Sequence, residues 1–148
     1  MSLTSRLAAA EDGLLAAIAG RANLAAVPKR LGDPGSGVRP EHIWIAEEAT
    51  AEQLSDLSSQ DVPTGGREEN FSLRVVVLVS RSGDDYKALR DRLTALVLEV
   101  EEAVRLNRRL GGAVEDSEVE RLERTTGAVE GARMAQMNVW VRARAWLA

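Results

Sequence analysis

The stretch FSLRVVVLVS, residues 71–80, has the clearest strand pattern in this 148-residue chain. Its apolar residues alternate so that one face is wholly apolar, while Val76 and Leu78 make the other face partly apolar. The first face carries Phe71, Leu73, Val75, Val77 and Val79. Apolar residues on both faces are typical of a strand that is covered on both sides. We therefore expect this stretch to be the central strand of a sheet.

The next segment, SRSGDDYKALRDRLTALVLEVEEAVRLNRRLGG, repeats its apolar residues at spacings of three and four. The repeat consists of Tyr86, Leu89, Leu93, Leu96, Val97, Val100 and Val104. Such spacing predicts an amphipathic helix of about six turns. Ser82 or Asp84 is the expected N-cap, and Gly111 or Gly112 is the expected end of the helix.

The last third of the chain has the pattern of a β-hairpin. AVEDSEVERLERTTGAVEGA is rich in branched residues, TTGAVEG is turn-like, and MAQMNVWVRARAWLA, residues 134–148, alternates strictly. One side of this final strand is apolar and predicted to be core. It carries Met137, Val139, Val141, Ala143, Ala145 and Leu147, and the other side carries Gln136, Asn138, Trp140, Arg142, Arg144 and Trp146.

The Trp and Arg side of this strand is the strongest candidate for an interaction surface. Fourteen strand residues span about 46 Å, whereas a compact chain of this size is about 40 Å across. The strand must therefore bend, or the hairpin must reach beyond its own core. Trp and Arg are enriched at the energetic centres of protein interfaces. We predict an oligomer or partner interface at Trp140, Arg142, Arg144, Trp146, Asn138, Trp44 and Arg39; the alternative is that the tryptophans pack within their own chain.

Two hairpin registers are possible. With residues of equal parity opposite each other, Asp116, Glu118 and Glu120 share the face of Arg142 and Arg144, and the arginines have partners within the hairpin. A shift by one residue places Glu115, Val119, Arg121 and Glu123 on that face instead. The arginines are then free to contact a neighbouring subunit.

The first half of the chain is less regular. A helix is expected from about residue 4 to 19, with Ser2 or Thr4 as N-cap and Gly20 as its end. NLAAVPKRLG is at most an edge strand because Pro28 cannot donate to a ladder, and residues 32–40 form a loop. EHIWIAEE alternates Ile43 and Ile45 against His42 and Trp44, as a short strand does. Residues 48–70 form a long polar connection that we expect to be mobile, with one helical turn near Glu52 to Leu57.

These elements make an α+β fold in the order α-β-β-β-α-β-β. A mixed, mostly antiparallel sheet packs against two helices and ends in a long β-hairpin. The length indicates a single domain over residues 1–148. The chain has no cysteine, which removes disulfides and zinc–thiolate sites. Glu11 and Asp12 interrupt the first apolar run, so we expect neither a signal peptide nor a membrane span, and a soluble cytosolic product.

The sequence offers little catalytic chemistry. GDPGSG lacks the Lys and Ser or Thr of a phosphate loop and leads into a strand, so it is interpreted as a loop. His42 is the only histidine, and no spacing supplies it with partners for a metal site or a catalytic dyad. The carboxylates spread around the long helix as a solvated face. We predict a protein that is not an enzyme and binds no cofactor or metal; a small α+β enzyme or ligand-binding module remains the alternative, with His42 and the loop as its candidate pocket.

The order of segments resembles the tail terminator, or tail-completion, proteins of long-tailed bacteriophages. The resemblance covers the amphipathic first helix, the Gly/Pro loop before EHIWIAEE, FSLRVVVLVS, RLNRRLGGAVEDSEVERLE and AQMNVWVRARAWL. The family offers no fixed catalytic motif, so no functional residue is transferred from it. A different head–tail connector, such as a head-closure or neck protein, is an open alternative.

This resemblance implies a structural virion protein. Subunits would assemble in the host cytoplasm as a sixfold ring, a homohexamer, on the head-proximal end of the tail. The ring would stop polymerisation of the tail tube and provide the surface that joins the head. Its partners would be further copies of itself, the tail tube protein and the head–tail connector protein, with no membrane partner. DNA would be only passing cargo in the lumen, which the net charge of −4 suits because phosphate binding needs a basic face.

Overall fold

The computed structural model describes residues 5–37, 40–54, 67–129 and 131–147. In these ranges six strands form one sheet beside two α-helices, which confirms the α+β class. The elements are α1 (Leu7–Ala19), β1 (Lys29–Leu31), β2 (Glu41–Ile45), β3 (Thr50–Leu54), β4 (Arg67–Ser82), α2 (Tyr86–Leu106), β5 (Asp116–Val129) and β6 (Ala132–Leu147). Short 3₁₀ turns occupy Ala22–Leu24, Gly35–Gly37 and Leu110–Gly112.

The sheet has the strand order β1-β2-β4-β6-β5, and β3 lies beside β4 on the same edge as β2. Its strands pair antiparallel except β1 and β2, which are parallel. The predicted order contained three strands before the long helix, whereas the described residues form four. The additional strand is β3, which pairs with residues 68–72 of β4. Its sequence, TAEQL, lacks the apolar alternation by which the other strands were predicted.

The central position of FSLRVVVLVS is confirmed. β4 pairs with β6 along all 16 of its residues, from Arg67 opposite Leu147 to Ser82 opposite Ala132. The hairpin strand β6 is therefore accompanied by β4 along its length, and the prediction that the hairpin reaches beyond its own core stays a prediction. Phe71, Leu73, Val75, Val77 and Val79 all face the helices in the main core.

Both helices pack on one face of the sheet. Buried residues of α1 and α2 join the odd-numbered residues of β4 and β6 in a single apolar cluster. Because helical spacing of three and four brings apolar residues to one side, each helix buries a stripe against this face. The core residues from the helices are Ala10, Leu14, Ile18, Leu89, Leu93, Leu96, Val97, Val100, Ala103 and Val104.

The helix ends differ from the predicted ones. The side chain of Asp85, rather than Ser82 or Asp84, caps α2 by accepting the backbone N–H of Ala88 at 3.0 Å. α2 ends at Leu106, with Asn107 as its C-cap, before the two glycines of the LGG turn. At α1, the expected caps Ser2 and Thr4 lie outside the described residues.

A backbone N–H group at the start of α1 is hydrogen-bonded by a side chain of the sheet. Arg6 occupies the N-cap position without a side-chain cap, and its backbone N–H donates to Oε1 of Glu69 at 2.7 Å. Glu69 lies on β4 and is fully buried. A carboxylate is favourable at a helix N-terminus because the first N–H groups there lack partners within the helix.

The long connection predicted for residues 48–70 is partly structured. Thr50–Leu54 and the beginning of β4 are paired strands, so the helical turn predicted near Glu52 to Leu57 is wrong for residues 52–54. Residues 55–66 lie outside the described part, and the mobility of the connection stays a prediction.

The loop at residues 32–37 agrees with its prediction, and β1 is the expected short edge strand beyond Pro28.

The hairpin contains both predicted registers. Asp116 lies opposite Arg144 and Glu118 opposite Arg142, as the equal-parity register requires. A β-bulge between Val119 and Arg121 then shifts the pairing by one residue, so that Arg121 lies opposite Trp140. The connection is also tighter than predicted, because TTGAV belongs to β5 and only two residues separate Val129 from Ala132. One of them, Gly131, has a φ of +72°, which favours glycine.

Candidate oligomer interface

The sheet face opposite the helices, here called the helix-free face, carries most of the predicted interface residues. It is formed by alternate residues of β2, β4, β5 and β6, and the apolar cluster on it contains no helix residue from the described ranges. Residues that lie opposite each other on neighbouring strands form rows, which cross this face from β2 through β4 and β6 to β5. The face divides into an apolar half near β2 and a charged half at the end of β6.

The apolar half is packed within the chain. Trp44, Ala46, Val76 and Leu78 form a buried cluster with Met134 against it. Trp44 is only 7% exposed, and the His42 ring meets it edge-on at 5.8 Å. This geometry gives His42 a structural role, because T-shaped contacts between rings stabilise a core.

Asn138 belongs to the same packed region. It is 5% exposed and accepts a hydrogen bond from Nε2 of Gln136 at 3.2 Å. Asn138 and Trp44 were predicted as interface residues, and the structure leaves them little surface for a partner. The candidate interface is therefore centred on the end of β6 rather than on β2.

Trp140 stands between the two halves. It is partly buried, and the guanidinium carbon of Arg121 lies 3.9 Å from the centre of its ring. The bulge makes this contact possible, since it turns Arg121 to the helix-free face. Sequence analysis missed the pair because nothing in EVERLER marks the position of a bulge.

The charged half contains the three exposed residues among the predicted ones that the structure describes. Arg142 and Arg144 are exposed, and Trp146 is 50% exposed, which is unusual for so large an apolar ring. With Glu68, Asn70 and Glu118, the arginines line a shallow hollow of about 380 Å³. The remaining predicted residue, Arg39, lies outside the described ranges.

The arginines do not pair as the simplest hairpin prediction requires. Asp116 lies opposite Arg144, but its carboxylate accepts two hydrogen bonds from Arg108, at 2.8 and 2.9 Å. Nε of Arg144 instead lies 3.4 Å from Oε1 of Glu68 on β4. Within the described ranges, Arg142 has no ion-pair partner. Among the described residues, the end of β6 therefore presents a guanidinium without an ion-pair partner, Arg142, on the same face as the exposed ring of Trp146.

The described residues give no catalytic constellation around the alternative pocket. His42 is buried, and the loop at residues 32–37 is held by its own turn, in which Asp33 accepts the N–H of Gly35 at 2.8 Å. No group of three or more His, Asp or Glu residues suited to a metal ion occurs in the ranges that the structure describes. Over the same ranges, neither helix combines the length and the apolar character needed to cross a membrane.

No protein-family model and no curated protein matches this chain. Its fold is similar to that of a chain in a solved structure described as the virion of a native gene transfer agent (GTA) particle. The two share a TM-score of 0.53 over 90% of each chain, with 13% sequence identity. Because only 13% of the residues are identical, the structural similarity shows a shared fold alone.

Proposed function

We propose that this chain is a structural protein of a virion and that it acts as a tail terminator. Copies of it form a ring that caps the head-proximal end of a tail tube, stops polymerisation and joins the head. The observation that carries the proposal is the shared fold with a chain of a virion, over 90% of both chains. The order of segments, which resembles tail terminators, supports it independently.

The helix-free face supplies a surface suited to such contacts. Trp146 and Arg142 combine an exposed indole ring with a guanidinium that lacks an ion-pair partner among the described residues. A large rigid ring and a multivalent donor are the side chains that most often dominate binding energy at interfaces. In this proposal the end of β6 contacts a neighbouring subunit or the tail tube protein.

The charge of the chain is compatible with a channel for DNA. A formal net charge of −4 gives few reasons for phosphates to adhere. DNA can therefore pass through the ring without being held, as a connector between head and tail requires.

Assembly with tail tube protein tests the proposal. Purified chain should form rings of one size, and adding these rings to polymerising tube protein should give short tubes with a ring at one end, seen by electron microscopy. Rings that bind no tube end, with tubes growing to unlimited length, would contradict the terminator role.

Variants at the end of β6 test the interface. Trp146→Ala and Arg142→Glu should each reduce ring or tube binding at least tenfold, which is the effect of losing one strong interface residue. Leu106→Ala is the matched control, because Leu106 is similarly exposed at 55% but lies at the end of α2. Equal effects of all three changes would contradict the proposal that the end of β6 is the interface.

A head-closure or neck protein is the second candidate. The description of the similar structure names a virion and no position within it, and such connectors also need ring contacts without catalysis. Binding of the rings to the portal side of a head, but not to tail tubes, would favour this alternative.

A further inference from the structure

The two outermost strands of the sheet, β1 and β5, leave their outer edges unpaired in the described chain. Residues 120–128 of β5 are exposed on both sides of the strand. In β1, the backbone groups of Pro28 and Gly32 bond to β2, so the alternating groups of Lys29 and Leu31 point outward. The Leu31 carbonyl there accepts only a long side-chain hydrogen bond among the described residues, from Nε of its neighbour Arg30 at 3.3 Å. Unpaired edges of this kind can bind another strand.

We propose that β1 of one copy pairs with β5 of the next copy, so that the sheet continues from subunit to subunit around the ring. This inference deepens the proposed function and rests on it. The partner is thus a second copy of the same chain, and the contact is head to tail. Contacts between two different edges can close into a ring, whereas a contact of one edge with itself gives a pair.

Strand directions favour this contact. β1 runs parallel to β2, and β2 is antiparallel to β4. Because β4 is antiparallel to β6 and β6 to β5, β5 runs in the direction opposite to β1. If the strands run along the ring axis, rotation from one copy to the next keeps the direction of each strand along that axis. β1 of one copy therefore meets β5 of its neighbour as an antiparallel pair.

The two edges also lie at the same level of the sheet. Following the ladder pairs from β1 to β5 joins the three residues of β1 to three consecutive residues of β5. These rows are Leu31–Ile45–Val75–Val139–Leu122, Arg30–Trp44–Val76–Asn138–Glu123 and Lys29–Ile43–Val77–Met137–Arg124. With strands along the ring axis, adjacent copies therefore pair these residues without a shift along that axis. A closed ring needs pairing without an axial shift, because neighbouring copies in a ring are related by rotation alone, with no translation along the axis.

The side chains on the two edges are complementary. Leu31 is 40% exposed and Leu122 is 45% exposed, and both lie in a row that faces the helices. Opposite each other across two copies, they would cover each other's apolar surface. In the next row, exposed Arg30 would meet exposed Glu123 on the helix-free face, as an opposite-charge pair across strands.

The third row brings together two cations, and each already has a contact within its own chain. Nζ of Lys29 donates to the carbonyl oxygens of Leu24 and Val27, at 2.5 and 2.7 Å. Arg124 lies 5.9 Å from the ring centre of Tyr86. The bulge of β5 lies outside these rows, because it ends at Arg121.

A rival arrangement pairs β5 with β5 of a second copy, centred on Leu122. It also places Arg121 opposite Glu123, but it leaves Leu31 exposed and cannot close a ring. The two arrangements predict different neighbours for Leu122, and the absence of native cysteine makes disulfide trapping a clean test.

The experiment uses the full chain with Leu31→Cys, Leu122→Cys or both, under mild oxidation. Directly opposed antiparallel residues have Cα atoms about 4.5–5.5 Å apart, within the range that a disulfide spans. The double variant should give a ladder of covalent multimers that ends at the ring size. Neither single variant should cross-link, and Leu98→Cys with Leu122→Cys is the control, since Leu98 is 58% exposed on α2.

The outcomes separate this inference from the proposed function. Rings seen by electron microscopy without a ladder in the double variant would overturn the edge pairing and leave the ring intact. A ladder that grows without closing would support the edge pairing and overturn the ring. Dimers from Leu122→Cys alone would identify the β5–β5 rival and overturn the β1–β5 pairing.

Charge exchange gives a second measurement. Arg30→Glu should reduce ring formation several-fold, which is the size expected when one cross-strand pair becomes repulsive. Glu123→Arg in the same chain should restore it. Equal yields from wild type and Arg30→Glu rings would contradict the pairing of these two residues.

Discussion

The two faces of the sheet have similar alternation in sequence but different surroundings in the structure. The covered face of β4 and β6 packs against α1 and α2 in one apolar cluster. The helix-free face is buried only around Trp44 and ends at Trp146, which is half exposed. The comparison indicates that the covered face stabilises the subunit, while the exposed end of the helix-free face remains available for partners. Substitutions on the two faces should accordingly affect different measurements.

The largest effect on folding is expected on the covered face. Phe71→Ala removes a ring that is 2% exposed in the main cluster. The lost burial and the cavity should lower the free energy of unfolding by about 3–5 kcal/mol, measured by urea denaturation. Trp146→Ala, on the other face, should change it by less than about 0.5 kcal/mol. Similar losses in both variants would abolish the distinction between the faces.

The next effect tests how closely the helical layer packs. A Cβ on Gly13 of α1 would lie 2.0 Å from the carbonyl oxygen of Leu110, so backbone must move. Gly13→Ala should lower the free energy of unfolding by about 2 kcal/mol, although alanine normally favours a helix. Gly20→Ala is the control, because its nearest contact is 3.4 Å and its φ is −75°. A stabilised Gly13→Ala variant would show that α1 lies farther from the turn.

Trp140 should give an intermediate effect, since it lies between the packed and exposed parts of the helix-free face. Trp140→Ala removes a partly buried ring and its contact with Arg121. The free energy of unfolding should fall by about 1–2 kcal/mol, and the monomer should stay folded by circular dichroism. Complete unfolding of this variant would place Trp140 in the core and remove it from the interface.

The smallest effect concerns the rim of the covered face. Arg92 of α2 donates two hydrogen bonds to Glu41 of β2, at 2.6 and 2.8 Å. These bonds lower the pKa of Glu41 from its ordinary value of 4.5. Because the folded state favours the carboxylate, the pair stabilises the protein above pH 4.5 and loses this effect as the pH falls through the lowered pKa.

Glu41→Gln should therefore lower the free energy of unfolding by about 1 kcal/mol at pH 7. The difference from wild type should shrink below pH 4.5, which urea titrations at several pH values would measure. A difference that stays constant down to pH 3 would show that the effect comes from packing rather than from charge.

Regular apolar patterns made much of the fold predictable. Alternation assigned the faces of β2, β4 and β6, and spacing of three and four identified α2. β3 was missed because its sequence, TAEQL, lacks the alternation of apolar and polar residues by which the other strands were predicted. The end of α2 was also placed too late, because the glycines lie in a separate turn with positive φ.

The candidate site was predictable in part. Alternation placed Trp140, Arg142, Arg144 and Trp146 on one side of β6, and the structure agrees. It could not separate Trp44, which its own chain buries, from Trp146, which is exposed. Both are tryptophans on the polar side of an alternating strand, and burial depends on which strands lie beside them.

The sequence by itself determined which residues share a face, since the period of two in a strand and of 3.6 in a helix follows from backbone geometry. Only the tertiary structure decided which face the helices cover, where β5 bulges and which acidic group each arginine meets. Asp116 lies opposite Arg144 in the ladder, yet it binds Arg108 from the segment after α2. The physical reason is that such contacts join residues that are brought together by packing, and no local period encodes them.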